Sequence, residues 1–205
     1  KKPIPHDTSV PGMPSTNAIA ENQVKLAVRG IRLLLVQAGL PVCFWPLAAR
    51  HFSFLRNMTM KDDDSAYNKR HGQGHFDQKK LLQFGCFVYF MPSPVAKKYK
   101  TRKLNAPSIP GIVVGYKLMA GGFWDKAYEC IALDDFAGKD FHRNTPIHKF
   151  DCTIHTVREL AWDKVDPFKF PCLEAYDRDN NTLSGITRCL RPDIAHNLAP
   201  PLTIT

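Results

Sequence analysis

Apolar residues recur every three to four positions along the first long segment. Ala20, Val24, Ala27, Ile31, Leu34 and Ala38 fall on one side when successive residues are turned about 100° apart. The period predicts a helix from about Asn17 to Ala38, with Asn17 as N-cap and Glu21 set against the positive end of the helix dipole. Gly39 followed by Leu40-Pro41 reads as a Schellman stop, with Leu40 packing back on Leu35. Gly30 costs such a helix about 1 kcal/mol relative to alanine. A second helix follows Pro41 and starts near Pro46, since proline is tolerated only in a first turn. Phe44, Trp45, Ala48, Phe52 and Leu55 supply its apolar stripe.

Residues 58–80 break the period. They are polar, charged and glycine-containing, and read as a connector. From 81 the pattern changes to short β-branched and aromatic runs, "FGCFVYF", "GIVVGY" and "AYECIAL", separated by "MPSP", "KKYKTRK" and "AGG". Several short strands within residues 81–140 predict a small all-β barrel. Residues 141–205 are proline-rich and read as an extended linker or tail; the first sixteen residues hold a short extended stretch, "PIPH", and a loop. The fold class is therefore α+β, with a helical unit over 1–57, a connector over 58–80, a barrel over 81–140 and a tail.

Charge adds a direction. The net charge is +9, and residues 1–110 hold 17 Lys and Arg against 6 Asp and Glu, whereas the remainder is slightly acidic. A basic half favours a polyanionic partner such as nucleic acid, with solubility alone as the plainer reading. The six cysteines lack C-x-x-C pairing and a disulfide-framework spacing, so they read as reduced thiols of an intracellular protein. No apolar run reaches membrane-spanning length, and no membrane partner is expected. "HGQGH" places His71 and His75 at metal-like spacing, but a polar glycine-rich setting makes zinc a poor fit. "DDD" at 62–64 reads as a solvated acidic turn, Cys86 as a buried small residue, and Trp45 and Trp124 as packing residues. "KKYKTRK", residues 97–103, is either a solvated loop or a phosphate-tracking loop with Tyr99 interleaved.

On the helix, Glu21, Lys25, Arg29 and Arg32 line the side opposite the apolar stripe. Glu21 could be an i,i+4 partner of Lys25, and the cations a solvated face. A carboxylate heading a row of cations also suits a metal held beside a phosphate.

The order of motifs resembles copia-type retrotransposon integrases. "HDTSVPGMPSTNAIAENQVK" resembles that family's loop-to-helix segment, commonly P-x-x-N-G-x-A-E-R. "AGLPVCFWPLAARHFSFLRN" looks like its next helix pair, and "QFGCFVYF" followed by "SIPGIVVGY" resembles the SH3-like barrel placed after the integrase core. The match covers roughly residues 4–140. It implies the C-terminal part of an RNase H-like core, residues 1–57, followed by an SH3-like barrel and an irregular tail.

Such cores use two Asp and one Glu to hold two Mg²⁺ ions (Mn²⁺ possible), about 4 Å apart, for phosphodiester chemistry. By resemblance Glu21 is the catalytic, metal-binding glutamate. Asn17 matches the family's Asn, and Lys25, Arg29 and Arg32 become nucleic-acid contacts. Ala18 stands where Gly is usual and Asn22 where Arg is usual. Both family Asp ligands precede the glutamate by many tens of residues, and twenty residues precede Glu21 here. The resemblance thus implies one of three catalytic carboxylates, and no metal bound by the chain alone. The expected partners are DNA, other parts of the polyprotein and a second copy; the expected location is nuclear during integration and otherwise cytoplasmic. The competing expectation is a non-catalytic remnant that binds DNA or protein through its barrel.

Overall fold

The first helix, α1 (Ala18–Ala38), ends where local chemistry dictates. Gly39 takes the left-handed conformation (φ 64°), its N–H donates to the Val36 carbonyl at 3.2 Å, and Leu40 N–H donates to the Leu35 carbonyl at 3.0 Å. These are the two bonds of a Schellman motif, and they satisfy carbonyls that the helix end leaves open. A Cβ on Gly39 would also strike the backbone of Leu173, so the turn and the packing both require glycine.

The computed structural model describes residues 17–72, 76–92, 107–137, 139, 141–142, 144–162 and 169–178. After a 3₁₀ turn at Val42–Phe44 comes α2 (Trp45–Met58), with Pro46 in its first turn. A hairpin, β1 (Met60–Lys61) and β2 (Asp64–Ser65), leads into α3 (Ala66–His71). Five strands follow: β3 (Phe87–Phe90), β4 (Ile109–Leu118), β5 (Trp124–Ala132), β6 (His155–Val157) and β7 (Leu160–Ala161). The last helix is α4 (Pro171–Arg178). The five strands form one antiparallel sheet in the order β6-β5-β4-β3-β7. The protein is α+β, with a curled sheet.

The curl has a local cause. The β4–β5 pairing slips between Val113 and Gly115, and again between Tyr116 and Leu118. An extra residue on one strand bends it and raises its twist. The slip also resets the alternation of side chains. Ile112 and Val114 enter one core; Val113 and Tyr116 enter the other, on the opposite face.

α2 runs across both cores. Leu47 and Ala48, with Phe44 of the preceding turn, join Leu35, Ala38, Phe87, Ile112 and Ile131. Further along the chain, Phe54 and Met58 join Val88, Phe90, Tyr116 and Cys130. Phe54 stacks on Tyr116 with ring centroids 4.2 Å apart. The helical segment and the sheet therefore share their apolar interior, where the sequence reading expected two units joined by a connector.

Three further expectations change. Residues 58–80 hold β1, β2 and α3. The expected tail supplies both edge strands of the sheet, β6 and β7, and α4 buries Cys172 and Ala175 against the first core. The buried face of α2 is Leu47, Ala48, His51, Phe54 and Met58, while Trp45 is 46% exposed and Phe52 turns toward α1. "PIPH", "KKYKTRK", His75 and residues 179–205 lie outside the described residues.

"DDD" is a turn as expected. Asp62 and Asp63 form the two-residue loop between β1 and β2, both with positive φ (53° and 63°), and both are exposed. That is the backbone of a type I′ hairpin turn, which Asp tolerates better than most side-chain-bearing residues. Asp64 Oδ1 accepts from Ser65 N–H (2.7 Å) and Asn68 Nδ2 (2.9 Å). Ser65 Oγ caps α3 by accepting from Asn68 N–H at 3.1 Å.

Candidate functional site

α1 sets the geometry of the candidate site. Its last two turns, from Ile31 to Ala38, are held by the first core, whereas Ile19, Val24 and Leu26 before them are 82%, 62% and 45% exposed. Asn17, Glu21, Lys25, Arg29 and Arg32 are all exposed along this helix. Asn17 stands at the N-cap position but its side chain makes no capping bond. Asn17, Glu21 and Lys25, with Ala20 and Val24, line a shallow depression of about 260 Å³. No ion pair joins Glu21 to Lys25 among the described residues.

The structure thus keeps the carboxylate and the three cations on one helix, open to solvent. Among the described residues no other carboxylate lines the depression beside Glu21, and there is no group of three His, Cys, Asp or Glu able to hold a metal. A two-metal centre needs several convergent oxygen ligands, so the described donor set does not fit one. His71 packs on Tyr67, with ring centroids 4.5 Å apart. Trp124 is buried and donates its indole N–H to the Ala127 carbonyl at 2.9 Å. Among the described residues no helix is long and apolar enough to cross a membrane.

Two residues escape a reading by sequence. Arg56, on α2, donates to Gln23 Oε1 of α1 at 2.6 Å, which places its charge beside the basic helix. The two are 33 residues apart and no local pattern connects them. His51 is buried between Phe84 and Tyr116, with neither ring nitrogen meeting hydrogen-bond geometry. Burial pushes its pKa down to about 3, eased only in part by the nearby Leu82 backbone. It is a neutral core residue rather than a chemical group.

The cysteines are alike in this respect. Cys43, Cys86, Cys130, Cys152 and Cys172 are all free thiols. Burial raises each of them, Cys43 to about 11 and Cys86 and Cys152 to about 12. None is a thiolate nucleophile near neutral pH.

The chain is related to the Pol polyproteins of retrotransposons. It is similar to the retrovirus-related Pol polyprotein from transposon TNT 1-94 of Nicotiana tabacum, 31% identical over 131 residues. That match covers 60% of this chain and 9% of the tobacco polyprotein. No family model matches the chain. No solved structure matches it significantly.

Proposed function

We propose that this chain is a nucleic-acid-binding piece of a copia-type integrase. In this reading the α1–α2 region is the C-terminal part of an RNase H-like core, and the curled sheet is an SH3-like barrel. The observation that carries the proposal is the exposed row Lys25, Arg29 and Arg32 on α1, in a chain related to retrotransposon Pol. Exposed cations at one-turn spacing neutralise successive phosphates without reading base edges. Glu21 would act as a Mg²⁺ or Mn²⁺ ligand only together with carboxylates from another part of a longer polyprotein. Alone, the chain binds DNA and does not join it.

The test uses the 205-residue chain and a fluorescent 20-base-pair duplex. Binding should be insensitive to sequence and should weaken steeply with salt. Changing Lys25, Arg29 and Arg32 together to Gln should lower the log–log salt slope by about 2.7, at about 0.9 per phosphate. An unchanged slope would return the row to a solvated face. Strand joining by the chain alone with Mg²⁺ or Mn²⁺, surviving Glu21→Gln, would show that the chemistry lies elsewhere.

A second reading is a non-catalytic binding module. The lone carboxylate on α1 favours it. The two readings separate when fragments supplying further carboxylates are added: restored joining that requires Glu21 supports the integrase.

A further inference from the structure

Two adjoining hollows open on the side of α2 that carries α3 and the β4–β5 loop. The larger, about 470 Å³, lies between α2, α3 and that loop, and Arg50, Arg70 and His71 line it. The smaller, about 340 Å³, is lined by Arg56, Lys61 and Lys69. The two adjoin at Asn57 and Ala66 and together make a basic trough.

Five permanent cations and one histidine line this trough, against a single carboxylate, Asp64. Asp64 already accepts from Ser65 N–H and the Asn68 side chain. Arg50 is paired with Glu129, 3.1 Å away, which offsets its charge and leaves Arg56, Lys61, Lys69 and Arg70 as the main positive groups; Arg56 is oriented by Gln23. Ser53 and Asn57 add neutral hydrogen-bonding side chains, and Gly121 and Gly122 leave the loop side without side-chain bulk. Cations of one sign lining a concave surface focus the potential on an anion. Lys69 and Arg70, with His71, also occupy the last turn of a helix that Ser65 caps and the β1–β2 hairpin anchors.

We infer that this trough is a second phosphate track, which holds the sugar-phosphate backbone of a nucleic acid. The inference rests on the nucleic-acid-binding reading above and adds a site to it. Arg56 also reaches Gln23, on the side of α1 that faces α2, so the trough and the Lys25, Arg29 and Arg32 row lie on different sides of α1. The trough presents guanidinium and ammonium groups without a base-reading element, so its contacts are sequence-independent.

The experiment measures duplex and single-stranded DNA binding to the full chain across a salt series. The test variant changes Lys61, Lys69 and Arg70 to Gln, all exposed side chains. The control changes Lys79, Lys80 and Lys149 to Gln, with the same loss of charge away from the trough. Circular dichroism and an unchanged melting temperature establish that both variants fold.

The expected result is a fall of about 2.7 in the log–log slope for the trough variant and less than about 1 for the control. Equal effects in both would overturn the track and leave only a general charge effect. An unchanged slope in the trough variant, with the α1 variant still impaired, would overturn the track alone. Absence of nucleic-acid binding by the unaltered chain would overturn the track and the function it rests on. Inorganic phosphate and a mononucleotide serve as competitors. Displacement of DNA by either at equal phosphate concentration would reassign the trough to a small-anion site and overturn the backbone track.

Discussion

The ring of Phe52 on α2 occupies the space that a Cβ on Gly30 of α1 would need. The glycine that looked like a weakness in the first helix is therefore the point at which the second helix approaches it. Leu26, Leu33 and Leu34 of α1 and Leu55 of α2 line the groove around this contact.

In solvent, Gly30→Ala would stabilise a helix by about 1 kcal/mol. Here the ring must move, and overpacking costs about 1–3 kcal/mol. The substitution should therefore leave the protein less stable, by about 1 kcal/mol in urea titration. In a Phe52→Ala background the same change should stabilise. A double-mutant cycle with no coupling between the two positions would refute the contact.

His51 makes stability depend on pH. Its folded pKa of about 3 lies below the ordinary value of 6.5. Between those values the unfolded chain takes up a proton that the folded chain refuses. Its contribution is complete above about pH 6.5, is lost as pH falls toward 3, and is constant below that. The slope approaches about 1.4 kcal/mol per pH unit inside this window. His51→Phe, which suits the neighbouring Phe84 and Tyr116 rings, should flatten the profile between pH 6 and 4. A profile as steep as that of the unaltered protein would show that other groups dominate.

The Asp62-Asp63 turn is suboptimal. A type I′ turn favours glycine at its second central position, because no Cβ then opposes positive φ. Asp63→Gly should strengthen the hairpin by about 0.5–1 kcal/mol. Amide exchange in Lys61–Asp64 should slow about two- to five-fold, and faster exchange would contradict the turn assignment.

The buried thiols should resist modification. In a Cys189→Ser variant, the four buried cysteines, Cys43, Cys86, Cys130 and Cys172, should react with a disulfide reagent at pH 8 only as fast as the protein opens, and the half-buried Cys152 should react sooner. Denaturant should release all five. Rapid reaction of Cys43 or Cys86 in the folded state would place them at the surface.

What the sequence by itself determined is local. The end of α1 at Gly39 follows from a glycine that can turn left-handed and a leucine that packs back on Leu35. The central strands β3, β4 and β5 follow from β-branched and aromatic runs whose neighbours lie close in the chain. Proline at position 46 set the start of α2, and adjacent aspartates marked the turn. The cations of α1 could be placed on one side because a helix has a fixed period.

Tertiary structure decided whatever depends on residues far apart. β6 and β7 are three and two residues long, too short to carry a pattern, and exist because β5 and β3 offer open edges. The buried face of α2 departs from its apolar period because Phe52 and Leu55 pack toward α1, while His51 is carried inward between two aromatic rings. The trough draws its cations from α2, β1 and α3, and no periodicity links them. Glu21 could be singled out from its neighbours, but the ligands a metal centre needs converge only through folding, and none of the described residues brings them there.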